Sequence, residues 1–190
     1  MSHDEPLIDL SDPDVLARYQ PYLQMLARVQ MRRAYQAKVG HSDIVQQVMV
    51  QAVEGRDGFR GKSEGELRAW LRQILARHLC HLDRDMHRGK RDVRREQSME
   101  VKLGHSSMRL EGLLAGDDAT PSQNYAAGEN VLQMIESLEK LPRDQADAIR
   151  LHYLQGMKLA EVAQEMNKTS GAIAGLLHRG MKTLRSEMGL

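Results

Sequence analysis

Apolar positions along this chain recur at three- and four-residue intervals and almost nowhere alternate. From Asp14, the residues Val15, Leu16, Tyr19, Leu23, Leu26 and Ala27 fall at helical spacing, and Ile44, Val45, Val48, Met49 and Ala52 repeat the pattern after a start signal at Ser42 or Asp43. The run RDGFRGKSEGE, with glycines at 58, 61 and 65, interrupts the period, which resumes at Leu67, Leu71, Ile74, Leu75, His78 and Leu82 as a third, longer helix. Residues 101–123, VKLGHSSMRLEGLLAGDDATPSQ, hold three glycines and a proline, and their apolar positions keep no sustained period. They predict an interdomain linker with room for a short helical turn at 107–115. Val131, Leu132, Ile135 and Leu138 then make one helix, and Pro142 opens another from its first turn, where the missing N–H does no harm.

The last two periodic stretches are the most informative. Leu159, Val162, Ala163 and Met166 form one stripe, Asn167 and Lys168 suit a tight turn, and Thr169 or Ser170 can cap a second helix striped by Ile173, Leu176, Leu177, Gly180, Met181 and Leu184. Two short helices joined by about three residues, the second with basic residues opposite its apolar side, read as a helix-turn-helix. Proline is absent from residues 22–120 and β-branched alternation is scarce. The expected fold is therefore all-α: two small helical domains, 14–100 and 126–190, joined by a flexible linker at 101–125.

Composition narrows the function classes. With 190 residues, 41% hydrophobic and 28% charged, the chain is neither a peptide scaffold nor wholly disordered. Cys80 is the only cysteine, which excludes an internal disulfide and a cysteine zinc cluster and makes a reducing, cytoplasmic setting the expectation. The opening MSHDEPLIDLSDPD is acidic and proline-bearing, unlike an export signal, and no apolar run approaches a membrane span. A soluble protein without membrane insertion is expected.

The net charge of +1 becomes informative once divided. Lys and Arg against Asp and Glu number five to seven in residues 1–55, thirteen to eight in 56–102, four to eight in 103–157 and five to three in 158–190. Two basic segments flanking an acidic one suggest two anion-facing surfaces. On the third helix Arg72, Gln73, Ala76, Arg77, Cys80 and Arg84 lie opposite the apolar stripe, giving a basic face, and RDMHRGKRDVRR from Arg84 to Arg95 adds a cluster suited to phosphates.

An enzyme has one foothold. His78, His81 and Asp85 share a helix side, with Asp83 and His87 beside them, but no second cluster completes a metal site. Cys80 faces the polar side, and a lone accessible cysteine is more often incidental than a sensor. The twelve methionines read as flexible core filling. A helix-turn-helix repressor or activator that binds duplex DNA by itself is the more serious alternative. A regulator acting only through a protein partner would not need two basic faces.

The run LPRDQADAIRLHYLQGMKLAEVAQEMNKTSGAIAGLLHRGMKTLR, Leu141 to Arg185, closely resembles region 4 of bacterial sigma factors. SDIVQQVMVQA followed by FRG is similar to region 2.2, and ELRAWLRQILARHLCHLDRDMHRGKR to regions 2.3 and 2.4. Both matches, in this order and without room for region 1.1 or a folded region 3, resemble the compact extracytoplasmic-function (ECF) subfamily of the sigma-70 family. The resemblance implies a promoter-specificity factor with no catalysis of its own and no cofactor. Its partners would be core RNA polymerase, through the β′ clamp helices and β flap, and promoter DNA, with an anti-sigma factor as a further candidate.

It also implies roles for residues. Polymerase docking falls on Asp43, Gln46, Gln47 and Gln51. Minus-ten recognition and melting fall on Phe59, Arg60, Lys62, Trp70, Gln73, Arg77, Arg84, Arg88, Lys90 and Arg91, with Trp70 either stacking at the opened junction or simply core. Minus-35 recognition falls on Thr169, Ser170, Ala172, Ala174, His178, Arg179 and Lys182. Ala174 and Leu176 stand where relatives often carry basic residues, and Arg77 and His78 where Asn is frequent. The acidic linker would run through the RNA exit channel.

Overall fold

The computed structural model describes residues 8–10, 12–31, 39–87, 93–114 and 127–189. All regular structure among them is helical, and the chain divides into two compact units, Met1–Gly104 and His105–Leu190. No helix among the described residues is long and apolar enough to cross a membrane.

In the N-terminal unit the helix expected from Asp14 onward is two helices, α1 (Pro13–Ala17) and α2 (Gln20–Gln30). Pro21, in the first turn of α2, has no N–H to continue a helix arriving from α1, so the chain restarts there. The Asp12 carboxylate caps α1 by accepting the Asp14 N–H at 2.9 Å. α2 packs on α3 (His41–Gly55) and on α4 (Glu64–His87), with a 3₁₀ turn at Arg56–Gly58 following α3. Tyr22, Leu23, Leu26 and Ala27 of α2, Val45, Val48 and Ala52 of α3, and Leu67, Leu71 and Leu75 of α4 are fully buried. Each buried leucine contributes on the order of 2 kcal/mol, so this core is the main support of every surface described below. Tyr19 is buried too, and burial, with Glu64 adding to it, pushes its phenol up to about 12.

The linker expectation needs correction. Residues 101–114 are the continuation of one helix, α5 (Val93–Leu114), and the boundary between units falls inside it, at Gly104/His105. Its buried positions Leu103, Ser106, Ser107 and Leu110 keep helical spacing, but two of the four are serines, so the apolar period was invisible. Within the C-terminal unit the Ser106 hydroxyl donates to the Leu154 carbonyl at 3.1 Å, which offsets its burial. Residues 115–125, the rest of the expected linker, lie outside the described residues.

The C-terminal unit continues with α6 (Ala127–Lys140), α7 (Arg143–Ile149) passing into a π turn at Arg150–Leu154, α8 (Leu159–Glu165) and α9 (Ser170–Glu187). Pro142 stands one residue before α7, at its N-cap. α9 buries Ile173, Leu177, Gly180, Met181 and Leu184 against the rest of the unit, while Leu176, expected in that stripe, is half-exposed. Gly180 permits the closest approach. A Cβ there would lie 2.8 Å from Ile149 Cδ1 and 3.2 Å from Gln145 Cβ on α7.

Candidate functional site

α3 turns Ile44, Val45, Val48 and Ala52 inward, so the helical period sends Asp43, Gln46, Gln47 and Gln51 outward, and all four are exposed. They line a groove of ≈ 800 Å³ between α3 and α4. The opposite wall carries Arg77, His78 and His81, which the sequence pattern does not connect with these four residues of α3. Val50, 58% exposed, sits among the glutamines as an apolar spot, a composition more like a protein-facing surface than a solvated one. His78 Nε2 lies 2.9 Å from Gln51 Oε1 across the groove. Burial, with His81 adding to it, pushes the His78 imidazole below its usual range.

The loop before α4 is built around its capping. Ser63 and Glu66 form a reciprocal box: the Glu66 N–H donates to Ser63 Oγ at 3.3 Å, and Glu66 Oε2 accepts the Ser63 N–H at 3.1 Å and the Lys62 N–H at 2.6 Å. Those two backbone donors hold the Glu66 carboxyl below the ordinary carboxylate range. Arg60 donates to the Asp57 carbonyl at 2.7 Å, which closes the turn. The single Phe and the single Trp of the chain meet here, with Phe59 and Trp70 ring centroids 5.2 Å apart and tilted by 42°. A Cβ at Gly61 would collide with the Phe59 ring, so the glycine is what lets the ring fold over the loop. Trp70 is half-exposed, so the all-core alternative for it does not hold.

The expected basic face of α4 is only partly a face. Gln73 and Arg77 are exposed, but Ala76 is buried, and Arg72 donates to the Tyr22 hydroxyl at 2.9 Å. Cys80 is half-buried beside a cavity of ≈ 440 Å³ that Leu79, Arg95, Ser98 and Met99 also line, and burial raises its thiol pKa, with Glu96 and Asp83 adding to the rise. The thiol is thus partly enclosed, with Asp83, Arg95 and Lys102 around the same cavity. The difference has a physical source: α2 packs against α4, and α5 shares the walls of the cavity beside Cys80, so positions that a helix wheel leaves on the polar side are partly enclosed. The His/Asp cluster also disperses. His78 turns to Gln51, and Arg84 takes both His81 Nδ1 at 2.7 Å and Asp85 Oδ1 at 3.4 Å. Arg88, Lys90 and Arg91 lie outside the described residues.

In the C-terminal unit the turn before α9 is fixed from three sides. Asn167 adopts the left-handed φ of 53°, the Lys168 N–H donates to the Ala163 carbonyl at 2.9 Å, and Lys168 Nζ pairs with Asp144 Oδ2 at 3.0 Å. Thr169 is the N-cap, its Oγ1 accepting the Ala172 N–H at 3.2 Å. Thr169, Ser170, Ala172, Ala174, His178, Arg179 and Lys182 are all exposed. They divide into two strips. Ala174, His178 and Lys182 line a groove of ≈ 800 Å³ with Leu159 and Tyr153, and Arg185, which the sequence reading had not singled out, joins them. Ala172 and Arg179 lie roughly 100° further round the helix. The spacing 178, 182, 185 was the signal for Arg185.

Residues 132–184 match the family model described as Sigma-70, region 4. The chain is 26% identical over 148 residues to the ECF RNA polymerase sigma factor SigX of Bacillus subtilis, covering 78% of this chain and 70% of that protein. It is 24% identical over 175 residues to the ECF RNA polymerase sigma factors SigD of Mycobacterium bovis and of Mycobacterium tuberculosis, covering 92% of this chain and 76% of each. The region 4 match falls on α6 to α9, where the capped helix-turn-helix lies, and the relatives extend the likeness through the N-terminal unit. The residues of α6 to α9 therefore match sigma-70 region 4, and the chain is similar over most of its length to extracytoplasmic-function RNA polymerase sigma factors.

Proposed function

We propose that this chain is the promoter-specificity subunit of an RNA polymerase: it binds the core enzyme, directs initiation at promoters carrying its minus-ten and minus-35 elements, and leaves the chemistry to the polymerase. One observation carries the reading. A capped helix-turn-helix lies in the residues matching region 4, and the same chain bears a second helical unit with its own polar, glutamine-rich surface. A repressor or activator acting alone has no use for that second surface.

The division of labour follows from the surfaces. Asp43, Gln46, Gln47 and Gln51 dock on the β′ clamp helices. Phe59, Arg60, Lys62, Trp70, Gln73 and Arg84 receive the minus-ten element, with Arg88, Lys90 and Arg91 contributing charge toward phosphates. The Phe59–Trp70 pair, half-exposed at the mouth of the loop, offers stacking surface to an unstacked base. α9 enters the major groove, where Ser170, Ala172 and Ala174 present only small groups to base edges. Most of the minus-35 energy then comes from His178, Arg179 and Lys182 on the phosphates, so affinity depends steeply on salt and weakly on sequence.

The test mixes the purified protein with sigma-free core polymerase and sequences the transcripts started from a genomic promoter library, comparing wild type with an Asp43/Gln46/Gln47 triple alanine variant. Co-elution with core and a defined set of new start sites, both lost or weakened in the variant, is the expected result. Tight duplex binding by the protein alone, with no affinity for core, would overturn the reading.

A further inference from the structure

We infer that the polymerase-docking surface is the whole α3–α4 groove and not the outer face of α3 alone, and that His78 is its positioning residue, holding the Gln51 amide in the orientation that meets the partner. The inference rests on the docking role proposed for the exposed face of α3.

Four observations lead to it. Gln51 is exposed on a helix surface, where a free glutamine side chain would sample many rotamers and lose that freedom on binding. It is instead met by His78 Nε2 at 2.9 Å, from the neighbouring helix. His78 is half-buried, and because Gln51 Oε1 can only accept, the His78 Nε2 is the donating nitrogen. With Nε2–H donating to Oε1, the amide NH₂ of Gln51 is the part of that side chain left to donate to a partner. The same α4 turn places Arg77 on the groove wall, exposed.

The groove has a charge order as well as a shape. Asp43 and Glu54 stand on the α3 wall, Arg77 on the α4 wall, and exposed Val50 between them. The occupant this fits is a helix of the core polymerase with basic side chains toward α3, an acidic one toward Arg77 and an apolar one over Val50. Pre-orienting Gln51 lowers the ordering cost of that encounter, which is how a residue that need not touch the partner raises affinity.

The experiment measures the dissociation constant of the full-length chain for sigma-free core polymerase, with no DNA present, for Gln47→Ala, Gln51→Ala, His78→Ala, His78→Gln, Arg77→Glu and the Gln51→Ala/His78→Ala double variant. Loss of one hydrogen bond of ordinary strength corresponds to about 5-fold weaker binding, which is the loss expected for His78→Ala. His78→Gln, which keeps a donor, should return to within about twofold of wild type. The double variant should bind no more weakly than Gln51→Ala, and Arg77→Glu should bind more weakly than wild type although no DNA is present. If Gln47→Ala and Gln51→Ala weaken binding while His78→Ala and Arg77→Glu do not, docking on α3 stands and the contribution of α4 is wrong. If His78→Gln binds as poorly as His78→Ala, or the double variant is additive, His78 acts only through general structure and the positioning role is overturned. If none of the variants changes affinity, the docking role of α3 fails, and this inference with it.

Discussion

His78 is a half-buried imidazole between Gln51 and His81, and its titration is readable at the scale of one residue. Its folded pKa is lowered from 6.5, chiefly by burial, so between that lowered value and 6.5 the unfolded chain binds more protons than the folded one. Stability therefore rises with pH through that window and is flat with respect to this group above it. Denaturant melts at pH near 5.5 and near 7.5 should show wild type losing stability in acid, with that loss reduced in His78→Gln. Glu66 acts in a lower window. Its carboxyl is held below 4.5 by the Lys62 and Ser63 backbone donors, so its capping contribution is complete above 4.5 and lost as the pH falls through the folded value. The two effects have the same sign and separate on the pH axis.

Among the elements, α9 is the one whose placement is most sharply set, by Gly180 against α7, by the Lys168–Asp144 pair and by the Thr169 cap. Gly180→Val would push a branched side chain into Ile149 and Gln145. The expected cost is about 2 kcal/mol, seen as a lowered melting temperature, with weakened duplex binding because the helix is displaced. Helix type and order were legible in the apolar spacing, as were the Asn167 turn and the Thr169 cap, because each of those signals is local. The α4 surface was less so. A helix wheel divides polar from apolar residues, but it does not know which flanks the neighbouring helices enclose, so it does not show that Ala76 is buried and Cys80 half-buried. The same blindness hid α5 itself, whose buried side is half serine, and kept the two walls of the α3–α4 groove apart, since nothing in a one-dimensional pattern joins Gln51 to His78.

At the scale of the molecule, the C-terminal unit begins at His105, well before the region 4 match at residue 132. Ser106 and Arg109 both donate to the Leu154 carbonyl, at 3.1 and 3.4 Å, and Leu110 is fully buried. A fragment of residues 105–190 should therefore unfold cooperatively and be more stable than one of residues 126–190. The gap should be about 3 kcal/mol, on the order of 2 for the buried leucine and 1 for the serine hydrogen bond, as measured by denaturant melts of the two. Division of the chain into a basic and helical half and a helix-turn-helix half was visible from charge and spacing, but the position of the boundary depended on contacts. The arrangement at the α4 loop has an optical corollary. Because Trp70 is the only tryptophan in 190 residues and its neighbour Phe59 does not absorb at the red edge, emission excited there comes from one indole ring, at the loop where an unstacked base would arrive. The molecule carries its own unlabelled reporter of that loop, and Phe59→Leu would alter its colour without moving the fluorophore to another site.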